Sequence, residues 1–201
     1  MKSIMPLGLA ALSGVLLASP AMADPFNGPY AGMQAGWSHT RVGDPATDAG
    51  RPNLQQSQDA AEGGIFADYN YKVTPKIVLS AEGGFSIGID DAIRRTGTDT
   101  AATVNPRYAF DLGARAGYLV DDATLVYVRG GYENMRAAVR IADGTAVRTA
   151  RQNFDGWSVV GGVERAINDW LSVRAEYRYS DLRDKGTFER HQALLGVAYH
   201  F

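Results

Sequence analysis

Six ionisable residues stand out by their spacing: Glu82, Arg115, Arg129, Glu164, Arg174 and Glu176 each interrupt a stretch in which apolar side chains recur at every second position. Carboxylates and guanidinium groups placed this way can pair through charge-assisted hydrogen bonds. They can also stay solvated with no fixed partner, or serve a gate or proton relay. Removed from water and left alone they would be strongly destabilising, so each needs either solvent or an opposite charge. The remaining reactive groups are few. There are three histidines, His39, His191 and His200, and no cysteine. Disulfides, thiolate metal sites and a lipid-modified cysteine are thereby excluded. The histidines have no metal-ligand spacing, no His-x-Ser pair accompanies them, and neither a nucleophile elbow nor a phosphate loop occurs. The residues therefore point to no enzyme, no metal and no cofactor. A formal net charge of −2 without a basic block gives no nucleic-acid signal.

The elements that must carry these charges read as strands. From Leu171 to Tyr179 one face bears Leu171, Val173, Ala175, Tyr177 and Tyr179, and the other Ser172, Arg174, Glu176 and Arg178. Period two over such a run is a strand with two chemically different sides. The same split recurs around Ala31–Trp37, Ile65–Val73, Ile77–Ile87, Phe110–Tyr118, Val126–Tyr132, Trp157–Val163 and Ala193–Phe201, which makes eight strands. Thr74-Pro75, Asp121-Asp122-Ala123 and Asn168-Asp169 read as tight turns. His39 to Ala60, Gly88 to Asn105, Met135 to Gln152 and Ser180 to Glu189 read as long polar loops, and Glu189 and Arg190 as loop-edge residues. Antiparallel strands joined by short turns on one side and long loops on the other predict an all-β, eight-stranded up-and-down transmembrane β-barrel.

Alternation alone does not say which face points outward, since a soluble lipocalin-like barrel hides its apolar face inside. The polar face carries Gly32, Gly36, Gly84, Gly113, Gly117, Gly131, Gly162 and Gly196, which suits a crowded lumen. The apolar face carries aromatics near strand ends, which suits interfacial girdles. Turned the other way, each Arg would cost about 2–4 kcal/mol at the bilayer midplane. The charges are therefore expected inside and the apolar residues in lipid. Arg165 is the exception on the lipid face, where its place beside a short turn allows it to snorkel.

Lys2, the apolar run from Ile4 to Leu17, the Ser19-Pro20 break and Ala21-Met22-Ala23 form the pattern of a secretory signal peptide. The expected organisation is a signal peptide over residues 1–23 and a barrel domain over 24–201, destined for the outer membrane.

The chain resembles the small outer-membrane barrels that include the opacity-type surface proteins and the transmembrane domain of the OmpA family. Gly28-Pro29-Tyr30-Ala31-Gly32 to Gly36-Trp37-Ser38 is similar to the first strand of that family. Val163-Glu164 through Arg174-Ala175-Glu176-Tyr177 is similar to its sixth and seventh, and Gly196-Val197-Ala198-Tyr199-His200-Phe201 to its closing strand. The resemblance implies a filled lumen, exposed variable loops and ion pairs across the lumen, for which the expected partners are Glu82 with Arg174 and Glu164 with Arg115. It also implies that Val197, Tyr199 and Phe201 resemble the terminal signal read by the barrel-assembly machinery. A peptidoglycan-binding domain of the full-length OmpA kind is missing from the pattern.

The function expected is that of a structural surface protein that supports the envelope and presents loops for adhesion or recognition. A narrow porin-like channel is the alternative, and a lipid-modifying enzyme and a soluble binder are further readings. The expected partners are outer-membrane lipid and lipopolysaccharide, the barrel-assembly machinery, and a host or surface ligand at the loops.

Overall fold

The computed structural model describes residues 24–43, 55–89, 93–96, 100–143, 146–182 and 187–201; the expected signal peptide lies outside them. The strands are β1 (Gly28–Gly43), β2 (Gln55–Lys72), β3 (Ile77–Ile89), β4 (Ile93–Thr96), β5 (Thr100–Asp121), β6 (Thr124–Asp143), β7 (Ala146–Asn168), β8 (Leu171–Asp181) and β9 (Thr187–His200). Hydrogen bonding runs β3-β2-β1-β9-β8-β7-β6-β5, and β5 pairs back onto β3. Eight long strands thus close into an antiparallel barrel, and closure leaves no edge to satisfy in lipid. β4 is a short addition to the far end of β5, where Ile93 is opposite Val104.

The three tight turns fall where the sequence places them, and each is held by its own side chain. Thr74 Oγ1 accepts the N–H of Ile77 at 3.0 Å, Asp121 Oδ1 accepts that of Ala123 at 2.8 Å, and Asn168 Oδ1 accepts that of Leu171 at 2.8 Å. Such local side-chain acceptors are what Asp, Asn and Thr bring to turns. The Ala123 N–H also holds the Asp121 carboxyl below the usual carboxylate range.

At the opposite end the sequence reading needs correction. Much of what reads as loop is strand: β1 continues to Gly43, β2 begins at Gln55, and β5, β6 and β7 extend to Thr100, Asp143 and Ala146. Beyond the bilayer the outer face no longer needs to be apolar, so alternation fades while the hydrogen-bonded ladder continues.

The wall is oriented as expected. Met33, Leu112 and Leu195 are 67%, 64% and 70% exposed on its outside, whereas Arg115, Glu164 and Arg174 are buried inside. That orientation overturns the soluble lipocalin-like reading. Aromatics crowd both ends of the outer wall, with Phe110–Tyr132 and Trp157–Tyr179 on the loop side and Trp170–Tyr199 and Tyr199–Phe201 on the turn side. Phe110 and Tyr118 are separated by about 27 Å of strand, which at the usual tilt suits an apolar band of ~25 Å.

All eight predicted glycines face crowded space inside. A Cβ on Gly131 would lie 2.6 Å from the Gly113 Cα and closer still to the Leu112 carbonyl oxygen. Glycine is not confined to the lumen, however. Gly63, Gly83, Gly130 and Gly161 face outward, where a Cβ would meet nothing nearer than 3.8 Å. Neighbouring Gly130 and Gly131 therefore make a test. Gly131→Val is expected to lose the folded, faster-migrating band on unboiled gels, because backbone cannot yield, whereas Gly130→Val should fold as well as the parent. Equal folding of the two variants would contradict this assignment of faces.

Candidate functional site

The inward side chains stack in layers. In the central layer Arg174 Nη1 lies 2.7 Å from Glu82 Oε2, and the other oxygen of Glu82 accepts from Arg129 Nη1. Arg129 Nη1 also donates to Asp111 Oδ1 at 2.7 Å. Asp111 Oδ2 is 3.7 Å from Arg178 Nη1, Arg178 Nη2 is 3.7 Å from Glu176 Oε2, and Glu176 Oε1 is 3.6 Å from Arg174 Nη1. The chain of contacts returns to its start. Three guanidinium groups and three carboxylates alternate in a closed ring drawn from β3, β5, β6 and β8. Further groups hold the ring in place. Arg174 Nη2 donates to Gln34 Oε1 at 2.7 Å, its guanidinium stacks over the Phe66 ring, and the Tyr127 hydroxyl donates to Glu176 Oε1 at 2.7 Å.

Toward the short turns a second layer centres on Arg115. It donates to Glu164 Oε2 and Asn70 Oδ1, each at 2.8 Å, and lies over the rings of Tyr127 and Tyr30. Tyr30 in turn donates to Asp68 at 2.7 Å. Toward the loops a third layer joins Arg190 to Glu62 and places it 3.8 Å from Glu133, which accepts from Ser180 at 2.6 Å.

The structure thus brings Glu82 together with Arg174 and Glu164 with Arg115, and places Arg129 and Glu176 in the central ring. Two further members of that ring, Asp111 and Arg178, were not among the expected charge network. Both were visible on the polar face, but alternation alone does not reveal which inward charges share a level. Arg190 requires correction: it is a buried lumen residue, 5% exposed, rather than a loop-edge one. β9 starts at Thr187, so the pleat carries Arg190 inward.

Both ends of this polar column are closed by apolar side chains. Val42, Met135, Phe154, Leu182 and Phe188 form a buried cluster on the loop side, and Phe26, Val78, Leu119 and Leu125 another on the turn side. The lumen is filled, ionic in its middle and apolar at its ends. No ring side chain is more than 6% exposed. A water-filled passage would leave accessible surface on the groups lining it.

Each of the three histidines has its own partners. His39 Nδ1 lies 2.8 Å from Asp59, and His191 Nδ1 lies 2.8 Å from the Tyr177 hydroxyl. Ser172, His200 and Glu164 do meet in the lumen, but in an unproductive order. The Ser172 hydroxyl donates to Glu164 at 2.7 Å, so it can only accept from His200 Nε2 at 2.8 Å. A base would need its lone pair aimed at that hydroxyl. Among the described residues no group of three or more His, Asp and Glu side chains is arranged to hold a metal ion.

Removing one ring member opens the cycle and leaves one buried charge in excess. Arg174→Met is expected to cost about 3–5 kcal/mol, read as the urea midpoint of the gel-shift transition in lipid vesicles. Glu82→Gln with Arg174→Gln should cost clearly less than the sum of the two single changes, since each single change leaves the ring with one charge in excess and the double change restores the balance. Additive costs would show that the pair is not coupled.

The family model for the outer membrane protein β-barrel domain matches residues 7–201. A 31 kDa outer-membrane immunogenic protein of Brucella melitensis is 25% identical over 198 residues, covering 92% of this chain and 82% of that protein. The crystal structure of Ail, the attachment invasion locus protein of Yersinia pestis, superposes with a TM-score of 0.52 at 13% identity, covering 87% of this chain and 99% of that one. Neisserial surface protein A gives a TM-score of 0.54 at 15% identity over 87% and 98% of the two chains. With an apolar outer wall, a closed strand order and this family match, the chain belongs to the outer-membrane β-barrel proteins.

Proposed function

We propose that this barrel is a non-enzymatic, non-conducting surface protein that braces the outer membrane and holds its loop-side strands outside the cell. The observation carrying this reading is the sealed lumen: a closed ring of ion pairs lies between two apolar clusters. Eight strands enclose little more than room for side chains, and here that room is taken. The names of the relatives agree with exposure at the surface, one being an immunogenic protein and another an attachment invasion locus protein. Residues that would meet a host or surface ligand lie on the loop-side ends of β5, β6 and β7, which outlast the bilayer by several residues. On this reading the outward Val197 and Tyr199, with Phe201, face the barrel-assembly machinery during insertion and lipid afterwards.

The purified barrel in planar bilayers is expected to give no discrete conductance steps. An epitope inserted at Gly144 should be labelled by antibody on intact cells. Steady single-channel currents would instead favour the narrow channel, and an unlabelled epitope would deny surface presentation. Phe201→Ala should lower the folded fraction in cells while leaving refolding from urea unchanged, if the aromatic is read by the assembly machinery rather than needed for stability.

A further inference from the structure

Two of the three histidines meet at the seam that closes the barrel. His39 on β1 is directly opposite His191 on β9, and both lie on the outer face of the wall. The pleat sets that direction, since their chain neighbours Ser38, Thr40, Arg190 and Gln192 are buried inside. Directly opposed residues on antiparallel strands hold their Cβ atoms about 4.5–5.5 Å apart. The row continues on either side: Asp59 of β2 is opposite His39, and Tyr179 of β8 is opposite His191.

Each imidazole is held by its Nδ1, and the two are held on opposite flanks. His39 Nδ1 lies 2.8 Å from Asp59 Oδ1, which also accepts from Trp37 Nε1 at 3.3 Å. His191 Nδ1 lies 2.8 Å from the Tyr177 hydroxyl, and its ring packs 5.1 Å from that of Tyr179. The two nitrogens of an imidazole point to opposite sides of its ring. With one Nδ1 turned toward β2 and the other toward β8, both Nε2 atoms turn to the strip between β1 and β9. Protonation follows the same logic. A carboxylate accepts from Nδ1–H, so neutral His39 carries its lone pair on Nε2. The Tyr177 oxygen accepts from His191 in the same way in the tautomer that a metal at Nε2 selects.

The geometry points to an exchangeable site for one divalent transition-metal ion, Cu²⁺ or Zn²⁺, held by Nε2 of His39 and Nε2 of His191 across the β1–β9 seam. Asp59 and Tyr177 orient the two rings from their far nitrogens, and the carboxylate makes His39 the more basic ligand. Neutral imidazole suits these ions, whereas Mg²⁺ and Ca²⁺ take oxygen ligands. A closed structural site has four protein ligands. Here two leave the other positions to water, in keeping with a His39 side chain that is 41% exposed. Sequence spacing hides the pair, because its members come from the first and last strands and only barrel closure joins them. The inference is independent of whether the lumen conducts.

The test titrates the untagged, refolded full barrel in detergent with Cu²⁺ and reads coordination by electron paramagnetic resonance. One ion per barrel is expected, with two coordinated nitrogens. His39→Gln and His191→Gln should each lose affinity about a hundredfold, and Asp59→Asn about tenfold. All three side chains lie on the outer wall, so every variant should keep the folded gel band. Excess Mg²⁺ should leave Cu²⁺ bound. Zn²⁺ should raise the urea midpoint of the parent, because it ties the first strand to the last, and leave that of His39→Gln/His191→Gln unmoved. No binding by the parent, a one-nitrogen signal, parental affinity in either single variant or displacement by Mg²⁺ would each overturn the site. So would a Zn²⁺-induced shift that persists in the double variant.

Discussion

A closed wall in lipid denies water to whatever it encloses, and every inward ionisable group of this barrel has to find its counter-charge among the others. The central ring meets that demand with three cations and three anions, each contacting two neighbours. Pairwise bridges would also neutralise the charge. A cycle does more, because moving any one strand disturbs two contacts at once. Desolvation makes such a network costly to assemble and more costly to leave incomplete. That asymmetry turns an energetically expensive interior into a device for fixing register.

Register matters here because a slip of one residue would turn the whole inner face outward. Steric matching adds a second check at the same positions. Gly162 lies beneath the Tyr127 ring, which hydrogen-bonds Glu176, and Gly84 lies beneath the Asp111 carboxylate. A large polar group on one strand and an absent side chain on its neighbour must come to the same level for the ring to close. The glycines and the charges are therefore one arrangement: the first make room for the second.

What was legible in the sequence follows from this. Within the bilayer the two faces meet opposite solvents, so period two, the tight turns and the orientation of Glu82, Arg115, Arg129, Glu164, Arg174 and Glu176 could all be read directly. Level could not, because it depends on strand tilt and shear, which no single strand encodes. Asp111 and Arg178 therefore passed unnoticed as ring members although their inward direction was clear. Above the bilayer both faces are polar or mixed, and β5 to β7 read as loop although they are strand. Arg190 was misplaced for the same reason, since a residue beyond the last clear alternation gives no hint of the pleat that turns it inward.

The two apolar clusters close the polar column at both ends. Phe26 precedes β1 and is fully buried against Leu125 and Val78, so the chain plugs its own turn-side end before entering the wall. Asp24 and Asn27 secure that plug: Asp24 accepts from Lys72 Nζ, and Asn27 Oδ1 accepts the Lys72 N–H at 3.3 Å. The seam where β1 meets β9 lies just above, and Arg174 of β8 reaches Gln34 of β1 past it. Closing the barrel, sealing its floor and completing the ring are thus coupled steps, and the ion pairs gain full strength only when the last of them excludes water.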